Sequence, residues 1–254
     1  MDQTDVSEKV RREEGGLWET VKVIIQALLI AVVVRTLFFQ PFNIPSGSLI
    51  PTLLVGDYLF VSKYSYGYSK HSIPFSPPIF SGRIWASEPK RGDIAVFKLP
   101  KDNSTDYIKR VIGLPGDRIQ VLNGVLHING TPVKRERIAD YKTTDLFGRT
   151  QSVPSYRETL PNGVSYTTIE RDGDRGYWDN TNLYTVPAGR FFMMGDNRDN
   201  STDSRDEASV GTVPFENFVG RAEIIFFSID ENASWRFWKW PGLIRWGRMF
   251  QPIR

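Results

Sequence analysis

The segment PSGSLIPT, residues 45–52, lies just beyond the apolar run VIIQALLIAVVVRTLFF, residues 23–39. The run has the length of a membrane span, and the segment places two serines and a glycine just past its outer end. This order along the chain predicts a reactive serine hydroxyl held at the surface of a bilayer.

The apolar run predicts one transmembrane helix over residues 23–39. At helical rise it spans roughly 25 Å, close to a thin hydrocarbon core. Gln26 and Arg35 interrupt it, and Arg35 lies near enough to one end for its guanidinium to reach the interface. A buried helix of a soluble protein is one alternative. A cleavable signal peptide fits less well, because QPFN at residues 40–43 offers no small-residue cleavage pattern.

Basic residues set the expected orientation of this span. Those that precede it are Lys9, Arg11, Arg12 and Lys22. After Arg35, the next basic residue is Lys63. By the positive-inside rule, residues 1–22 are cytoplasmic and the chain from residue 40 onward lies outside the cytoplasm.

A serine hydroxyl becomes a good nucleophile only when a neighbouring base takes its proton. The chain has two histidines, His71 in the polar, proline-containing stretch SKHSIP and His127 in the strand-like stretch VLHIN. Each is a candidate base, and the alternatives are a polar group in a loop and a side chain on a sheet face.

A lysine is the better candidate. In DYIKRVIG, residues 106–113, the strand period of two puts Lys109 on the same face as Tyr107 and Val111. An ammonium held among apolar neighbours loses hydration, its pKa falls, and it can act as a free amine at neutral pH. The alternative is a lysine that extends from a sheet edge into water.

A third segment, GDNRDNSTDSR at residues 195–205, follows the apolar, strand-like run RFFMM. It would deliver a loop dense in hydrogen-bonding groups that can orient a buried amine. The alternatives are an ordinary turn and a calcium loop, and the second is disfavoured because the glycine and distal glutamate spacing of an EF-hand is missing.

These three motifs, in this order, make the chain resemble bacterial type I signal peptidases, also called leader peptidases. RGDIAVF at residues 91–97 is similar to a fourth family segment. The resemblance implies a serine endopeptidase, a hydrolase that removes signal peptides from secreted preproteins. It also implies a single-pass protein of the bacterial inner membrane with a periplasmic catalytic domain.

By motif position, the resemblance implies a Ser-Lys dyad with Ser48 as nucleophile and Lys109 as general base. The Ser201 hydroxyl would orient the lysine, and the backbone N–H of Ser48 with the Ser46 hydroxyl would form the oxyanion hole. The residues expected to brace the site through ion pairs or as structural members of the third motif are Asp203, Arg205, Asp196 and Asn197.

The expected partners are signal-peptide-bearing preproteins and membrane lipid. A signal peptide can add as an extended strand beside the strand that holds Lys109. The residues expected to line its pockets are Phe42, Ile44, Leu49, Leu53, Leu59, Val96, Tyr107 and Ile108. All are apolar, so a role in the core is the alternative for each. The resemblance implies no metal and no organic cofactor.

The predicted fold is mainly β, a signal-peptidase-like catalytic β domain over residues 40–231. Strand composition is found at 57–63, 94–99, 107–112, 118–122, 125–128, 190–194 and 223–229. Asn123–Gly124 and Asn129–Gly130 predict hairpin turns. Residues 131–187 resemble the family's variable second lobe, and residues 64–90 form an insertion between motifs to which the sequence assigns no role.

Composition excludes several classes of protein. A net charge of +3, from 32 basic and 29 acidic residues, gives no indication of nucleic-acid binding. The chain has no cysteine, which excludes disulfides and thiolate zinc sites.

The C-terminal segment, residues 232–254, interleaves tryptophan and arginine in WRFWKWPGLIRWGRMF at 235–250. That mixture is typical of a membrane interface. A tail packed on its own domain and a nucleic-acid-binding surface are the alternatives. For the whole chain, two further functions remain open: a specialised peptidase of the same fold that serves a conjugation or envelope system, and a non-enzymatic envelope adaptor.

Overall fold

The computed structural model describes residues 3–144, 149–230, 238 and 240–253. Residues 232–237, 239 and 254 of the predicted tail therefore lie outside the described residues. Within the described ranges the chain forms one long N-terminal helix followed by antiparallel sheets. The fold is mainly β, as predicted.

The N-terminal helix, α1, runs from Gln3 to Leu37. Its segment Gly16–Leu37 is long and apolar enough to cross a membrane, with a mean hydropathy of 2.1 and no part buried in the protein. Large apolar side chains such as Ile30 are about two-thirds exposed, at 65 %. This exposure disfavours the alternative of a buried helix in a soluble domain.

The helix ends two residues before the predicted limit of the span, because the chain becomes a strand at Phe39. This strand, β1, covers Phe39–Asn43 and pairs with the next one along the chain, Asp57–Ser62. Pro41 is tolerated there because β1 lies at the edge of its sheet. The sequence did not predict β1.

The main sheet contains eight strands in the described part of the chain. They are β1, β2 (Asp57–Ser62), β3 (Ile94–Lys98), β4 (Asp106–Gly113), β12 (Arg190–Met194), β13 (Val213–Pro214), β14 (Phe218–Ser228) and β15 (Gln251–Pro252). Their order is β1-β2-β14-β3-β4-β12-β13, and β15 pairs with β14. The strand predicted at 223–229 starts earlier, at Phe218, because register shifts along β14 interrupt the alternation by which a strand is recognised.

Two smaller sheets follow β4. One contains β5 (Arg118–Leu122), β6 (Val125–Ile128), β7 (Thr131–Pro132) and β11 (Tyr184–Thr185), in the order β11-β5-β6-β7. The other contains β8 (Lys134–Thr144), β9 (Thr150–Thr159) and β10 (Ser165–Ile169), in the order β10-β9-β8. The second sheet lies within the region predicted as a variable lobe.

Three apolar clusters form the core, and β3 contributes to two of them. Ile94 and Val96 pack on one side of the main sheet, behind the serine-containing segment. Ala95 and Phe97 pack on the other side. The third cluster joins the main sheet to the β5–β6 hairpin. The period of two in β3 therefore fixes the sheet between two apolar layers, with β4 beside it.

The 64–90 insertion packs against the end of α1. The Tyr68 hydroxyl donates to the carbonyl of Leu37 at 2.7 Å. Buried Lys63, just before the insertion, donates to the carbonyl of Ser72 at 3.0 Å. The insertion is thus fixed at the junction between helix and sheet.

The C-terminal segment is attached to the domain by its basic residues. The Arg248 guanidinium lies 2.6 Å from the buried carboxylate of Asp57, and strand β15 pairs with β14. A short helix, α2, covers Trp240–Leu243. Four aromatic side chains of the C-terminal segment are exposed: Trp238, Trp240, Trp246 and Phe250. The segment combines packing on the domain with an exposed aromatic surface.

Candidate active site

The serine motif forms a turn between β1 and β2. Gly47–Leu49 make one turn of 3₁₀ helix, which buries Ser48 to 6 % exposure and Leu49 to 1 %. Leu49 packs in the apolar cluster behind the turn. A Cβ at Gly47 would lie 2.9 Å from Ile50 Cδ1, so a side chain there would require the end of the Ile50 side chain to shift.

Strand β4 brings Lys109 to this turn. Its Nζ lies 2.5 Å from Ser48 Oγ, and the lysine side chain is buried. The two residues are 61 positions apart in sequence and meet only because β4 runs beside the serine turn. Nζ also lies 5.5 Å from the centre of the Tyr107 ring, two residues along the strand.

Burial lowers the pKa of Lys109 to about 8. Removal of the ammonium from water is the largest cause, and nearby Arg205 acts in the same direction. The carboxylates of Asp203 and Asp196 oppose the shift without cancelling it. About a tenth of Lys109 is therefore a neutral amine at pH 7, and this is the form that accepts a proton.

For the Ser-Lys dyad that the sequence leads us to expect, we predict that cleavage activity rises with pH through about 8 and then levels off, because only the neutral amine can accept the serine proton. The measurement is the pH dependence of kcat/KM with a soluble peptide. Lys63 provides a control, since burial also lowers its pKa to about 8 and it is outside the cleft. Lys63→Met should leave the pH profile unchanged. A shift of the profile in this variant would show that the titration belongs to Lys63 and not to Lys109.

The third motif closes over both residues. Gly195 follows β12, and a Cβ there would lie 2.3 Å from Ser201 Oγ and 2.5 Å from the carbonyl of Ser48. The backbone can approach the nucleophile this closely only without a side chain. Ser201 is 7 % exposed, and its hydroxyl makes no hydrogen bond of normal geometry to the described residues, although it contributes to the lowered pKa of Asp203.

Two buried ion pairs support this motif. Asp203 forms a two-point contact with Arg205, at 2.9 Å for each N–O pair, and accepts from the backbone N–H of Gly195. Asp196 forms a similar contact with Arg110 of β4, at 2.8 and 2.7 Å. Both sequence-predicted bracing residues, Asp203 and Arg205, therefore lie beside the dyad.

The Asp196 carboxylate connects all three motifs. Thr52 of the serine segment donates to it at 2.6 Å, while Arg110 follows Lys109 on β4. The sequence indicated a structural role for Asp196 but not this connection.

Asn197 contacts the nucleophile turn more directly than the sequence suggested. Its backbone N–H donates to the carbonyl of Ser48 at 3.1 Å, and its side-chain amide donates to the carbonyl of Gly47 at 3.0 Å. Nothing in the motif pattern indicated these bonds, because they depend on how the third motif folds back.

A cleft of about 530 Å³ opens over the dyad. Its lining residues are Pro45, Ser46, Gly47, Ser48, Asp106, Tyr107, Ile108, Lys109, Trp178, Asp199, Asn200, Ser201 and Thr202. Ser46, the predicted second oxyanion-hole donor, is exposed at its edge. Trp178 and Asn200 were not predicted; they come from segments without strand or helix periodicity.

Of the eight residues expected to line substrate pockets, Tyr107 and Ile108 lie in the cleft. The other six belong to or pack against the apolar cluster behind the serine turn: Phe42, Ile44, Leu49, Leu53, Leu59 and Val96. Leu53 and Leu59 are completely buried. In this conformation the six have the alternative role, in or against the core, and do not line the cleft.

Neither histidine lies in the cleft. His71 is buried in the insertion with Nδ1 3.1 Å from Ser76 Oγ, and burial lowers its pKa to about 4. His127 lies on β6, as predicted, with Nδ1 2.9 Å from the carbonyl of Val125. Among these three candidate bases, Lys109 is the one whose nitrogen contacts Ser48 Oγ.

The comparison with protein families agrees with this geometry. The family model described as "Signal peptidase, peptidase S26" matches residues 17–227. The chain belongs to this family. As a member of the signal peptidase I group it is a hydrolase, a serine endopeptidase.

Curated relatives extend the match over most of the chain. The signal peptidase I of Rickettsia typhi is 45 % identical over 210 residues, 79 % of this chain and 76 % of that protein. The enzyme of Rickettsia canadensis is 41 % identical over 235 residues, 89 % of this chain and 84 % of that protein. A solved structure of signal peptidase I from Enterococcus faecalis is 27 % identical, with a TM-score of 0.31, and the match covers 53 % of this chain and 97 % of that one.

Proposed function

We propose that this chain removes signal peptides from secreted precursors, with Ser48 as nucleophile and Lys109 as general base. The observation that carries the proposal is the 2.5 Å contact between Lys109 Nζ and Ser48 Oγ, both buried at the base of an open cleft. The lowered pKa of Lys109 supports the assignment of the base. A non-enzymatic adaptor has no need for a buried amine beside a serine.

In the first half of the reaction, neutral Lys109 takes the Ser48 proton as Oγ attacks the scissile carbonyl. The backbone N–H of Ser48 and the Ser46 hydroxyl stabilise the resulting oxyanion. Lys109 then donates the proton to the departing amine, leaving an acyl-enzyme. In the second half Lys109 activates a water molecule, which releases the acyl group and restores Ser48.

Ser201 is assigned a positioning role. Its buried hydroxyl lines the cleft beside Ser48 and Lys109, and the Asp203–Arg205 pair fixes the loop that carries it. A hydroxyl at this place can hold the amine in the orientation that receives the serine proton.

The substrate binds as an extended strand along β4. Residues Asp106–Lys109 pair with β3 on one side, whereas β12 reaches β4 only at Arg110, Val111 and Gly113. The other edge at 106–109 therefore faces the cleft. A peptide can pair with this edge and place its side chains alternately in the cleft, which suits precursors with small residues before the cut.

The proposed location is a single-pass anchor in the bacterial inner membrane with the catalytic domain outside the cytoplasm. Its support is the apolar, exposed segment Gly16–Leu37 together with the basic residues Lys9, Arg11 and Arg12 on its N-terminal side and Lys22 in its second turn. Ser48 follows the helix end by only 11 residues, since 48 − 37 = 11. This places the dyad close to the membrane surface.

The test is to incubate the purified full chain in detergent with a preprotein and determine the new N-terminus by mass spectrometry. We expect a single cut after small residues at the end of the signal peptide. A precursor left uncut by folded protein, or cut at many unrelated sites, would contradict the proposed activity.

We also predict that the exposed aromatic side chains of the tail increase cleavage of membrane-bound precursor. Trp240 and Trp246 are 40 and 64 % exposed, and indole rings favour the headgroup region. Changing both to serine should slow cleavage of a precursor in vesicles by about tenfold through lost local concentration, with a much smaller effect on a short soluble peptide.

Substitution is a better design here than deletion, because deletion would also remove the contact between Arg248 and Asp57. Arg248→Ala is the matched control; it should lower Tm and slow both substrates alike. Equal slowing of both substrates by the tryptophan changes would show that these rings belong to the domain's packing.

A further inference from the structure

Three carboxylates converge beside the cleft, outside the dyad. Glu170, Asp179 and Asp199 each present an oxygen, and these atoms lie within 4.8 Å of one another. They come from separate parts of the chain: the end of β10, the loop before β11, and the 3₁₀ turn Arg198–Asn200. Tertiary structure, and not a local acidic run, brings them together.

These carboxylates have little positive charge to compensate them. Glu170 and Asp179 are 1 and 2 % exposed. Arg135 contacts one Glu170 oxygen at 3.3 Å and is shared with Asp174. Asp179 and Asp199 take part in no salt bridge within the described ranges.

Two further arginines, which act electrostatically on Glu170 and Asp179, each contact a carboxylate outside the cluster. Arg198 contacts Glu158 at 2.5 Å, and Arg205 contacts Asp203 at 2.9 Å. A buried group of three acids is costly unless a proton or a cation neutralises part of its charge. Burial raises the pKa of Glu170 to about 8, so a cation that binds here at neutral pH displaces a proton.

The second carboxylate oxygen of Glu170 is an independent indication of such a cation. Glu170 Oε2 is buried and has no hydrogen-bond partner among the described residues. Unpartnered buried carboxylate oxygens are rare, because each loses its hydration without replacement. Glu170, which carries this unpartnered oxygen, is the most buried of the three cluster residues.

The backbone leaves space for the carboxylates to approach each other. At Gly176, a Cβ would lie 2.0 Å from Asp199 Oδ1 and 3.2 Å from Asp179 Oδ2. The N–H of Gly176 donates to Asp179 at 2.5 Å, and the N–H of Asp172 donates to Asp199 at 2.8 Å. The loop thus orients the carboxylates of Asp179 and Asp199 around Gly176, where a side chain would occupy the space between them.

We propose that Glu170, Asp179 and Asp199 bind a divalent cation of the Ca²⁺ class. The donor set consists of carboxylate oxygens without nitrogen or sulfur, which favours hard cations. Three carboxylates supply part of the six to eight oxygens that Ca²⁺ takes, with water completing its coordination.

The cation would act on the wall of the cleft. Asp199 and Trp178, the neighbour of Asp179, both line the cleft, and Asp199 precedes Ser201 by two residues. A cation here ties the loop at 171–181 to the turn that leads into Ser201. It has no part in the proton transfers between Ser48 and Lys109, so the chemistry stays metal-independent.

The test is a Tb³⁺ titration of the full chain in detergent, with excitation of tryptophan. Trp178 adjoins the site, so bound Tb³⁺ should luminesce, and Ca²⁺ should displace it. Saturating Ca²⁺ should also raise Tm by several degrees. Both readouts are independent of peptidase activity, so their failure is distinct from failure of the proposed function.

Glu170→Gln, of nearly equal size, should weaken Tb³⁺ and Ca²⁺ binding by at least about tenfold. Asp199→Asn, at a half-buried position, should do the same and carries the test if the first variant does not fold. Asp140→Asn is the matched control, because its carboxylate is exposed and away from the cluster; it should bind like the unmodified chain. Absence of Tb³⁺ luminescence, or binding unchanged by both cluster variants, would overturn the proposal.

Discussion

Replacing Lys109 with methionine is expected to reduce cleavage by about 10⁴-fold or more, because Lys109 is the side chain that contacts Ser48 Oγ among the described residues. Ser48→Ala should have an effect of the same size. Since the two residues act as a unit, the double variant should be no worse than either single one. The measurement is kcat/KM with a soluble peptide at a pH above 8.

The same substitution should not destabilise the fold. In the unfolded chain the lysine has its ordinary pKa of 10.5, whereas burial lowers it to about 8 in the folded protein. Between these values the unfolded state binds more protons, so this group makes the free energy of unfolding rise with pH through that window. At pH 7 the penalty is fully present, and Lys109→Met should raise the free energy of unfolding by up to about 3 kcal/mol.

Lys63→Met is the matched control for the activity loss. Lys63 is equally buried, at 1 % exposure, and its pKa is also lowered to about 8, but it contacts backbone carbonyls far from Ser48. It should retain activity within about tenfold of the unmodified chain. Activity of Lys109→Met within the same range would refute its assignment as the base.

The second large effect is expected at the buried pair of Asp196 and Arg110. Asp196→Ala would leave the guanidinium of Arg110, which has no exposed surface, without its two-point carboxylate contact. Breaking a buried pair in this way costs about 3–5 kcal/mol. At roughly 2–4 °C per kcal/mol for a chain of this size, Tm should fall by about 10 °C.

Circular dichroism during heating measures this change. Asp140→Ala, which removes the carboxylate of an exposed pair with Arg137, is the control and should leave Tm within about 2 °C. Combining Arg110→Met with Asp196→Leu should recover much of the lost stability, because it removes both charges. A similar loss at the exposed and the buried pair would show that the network does not hold the motifs together.

The strands that alternate cleanly were predictable in detail. The hairpin of Arg118–Leu122 and Val125–Ile128 has the predicted bounds. Its turn residues Asn123 and Gly124 both have positive φ, at 48 and 73°, as this type of two-residue turn requires. Local sequence carries this information because side-chain alternation and turn conformation depend on neighbouring residues.

The strands of the second small sheet could not be placed in the same way. Lys134–Thr144 reads KRERIADYKTT, with charged or polar residues at most positions, and it forms a strand only by pairing with Thr150–Thr159. In this sheet, β8 has no buried side chain over residues 134–143 and therefore shows no alternating apolar pattern. Its strands are determined by backbone pairing across the chain, which the local sequence does not express.

That the tail binds the membrane interface remains a prediction, and it now rests on the tryptophans more than on the arginines. The interleaved tryptophans are exposed where they are described, in keeping with that expectation. The arginines, however, include Arg248, which pairs with buried Asp57 of β2. Charge interleaving alone could not distinguish a basic residue facing lipid from one neutralising a buried acid.

The sequence by itself predicted the membrane-length helix, most of the longer strands of the main sheet and the candidate reactive groups, because each depends on composition, period or motif within a short window. Only the tertiary structure decided that Lys109 lies 2.5 Å from Ser48, that Asn197 holds the serine turn and that Glu170 meets two distant aspartates. These contacts join residues far apart in the chain. Their geometry, and the pKa that results from it, depends on burial by other elements, and burial is a property of the whole fold.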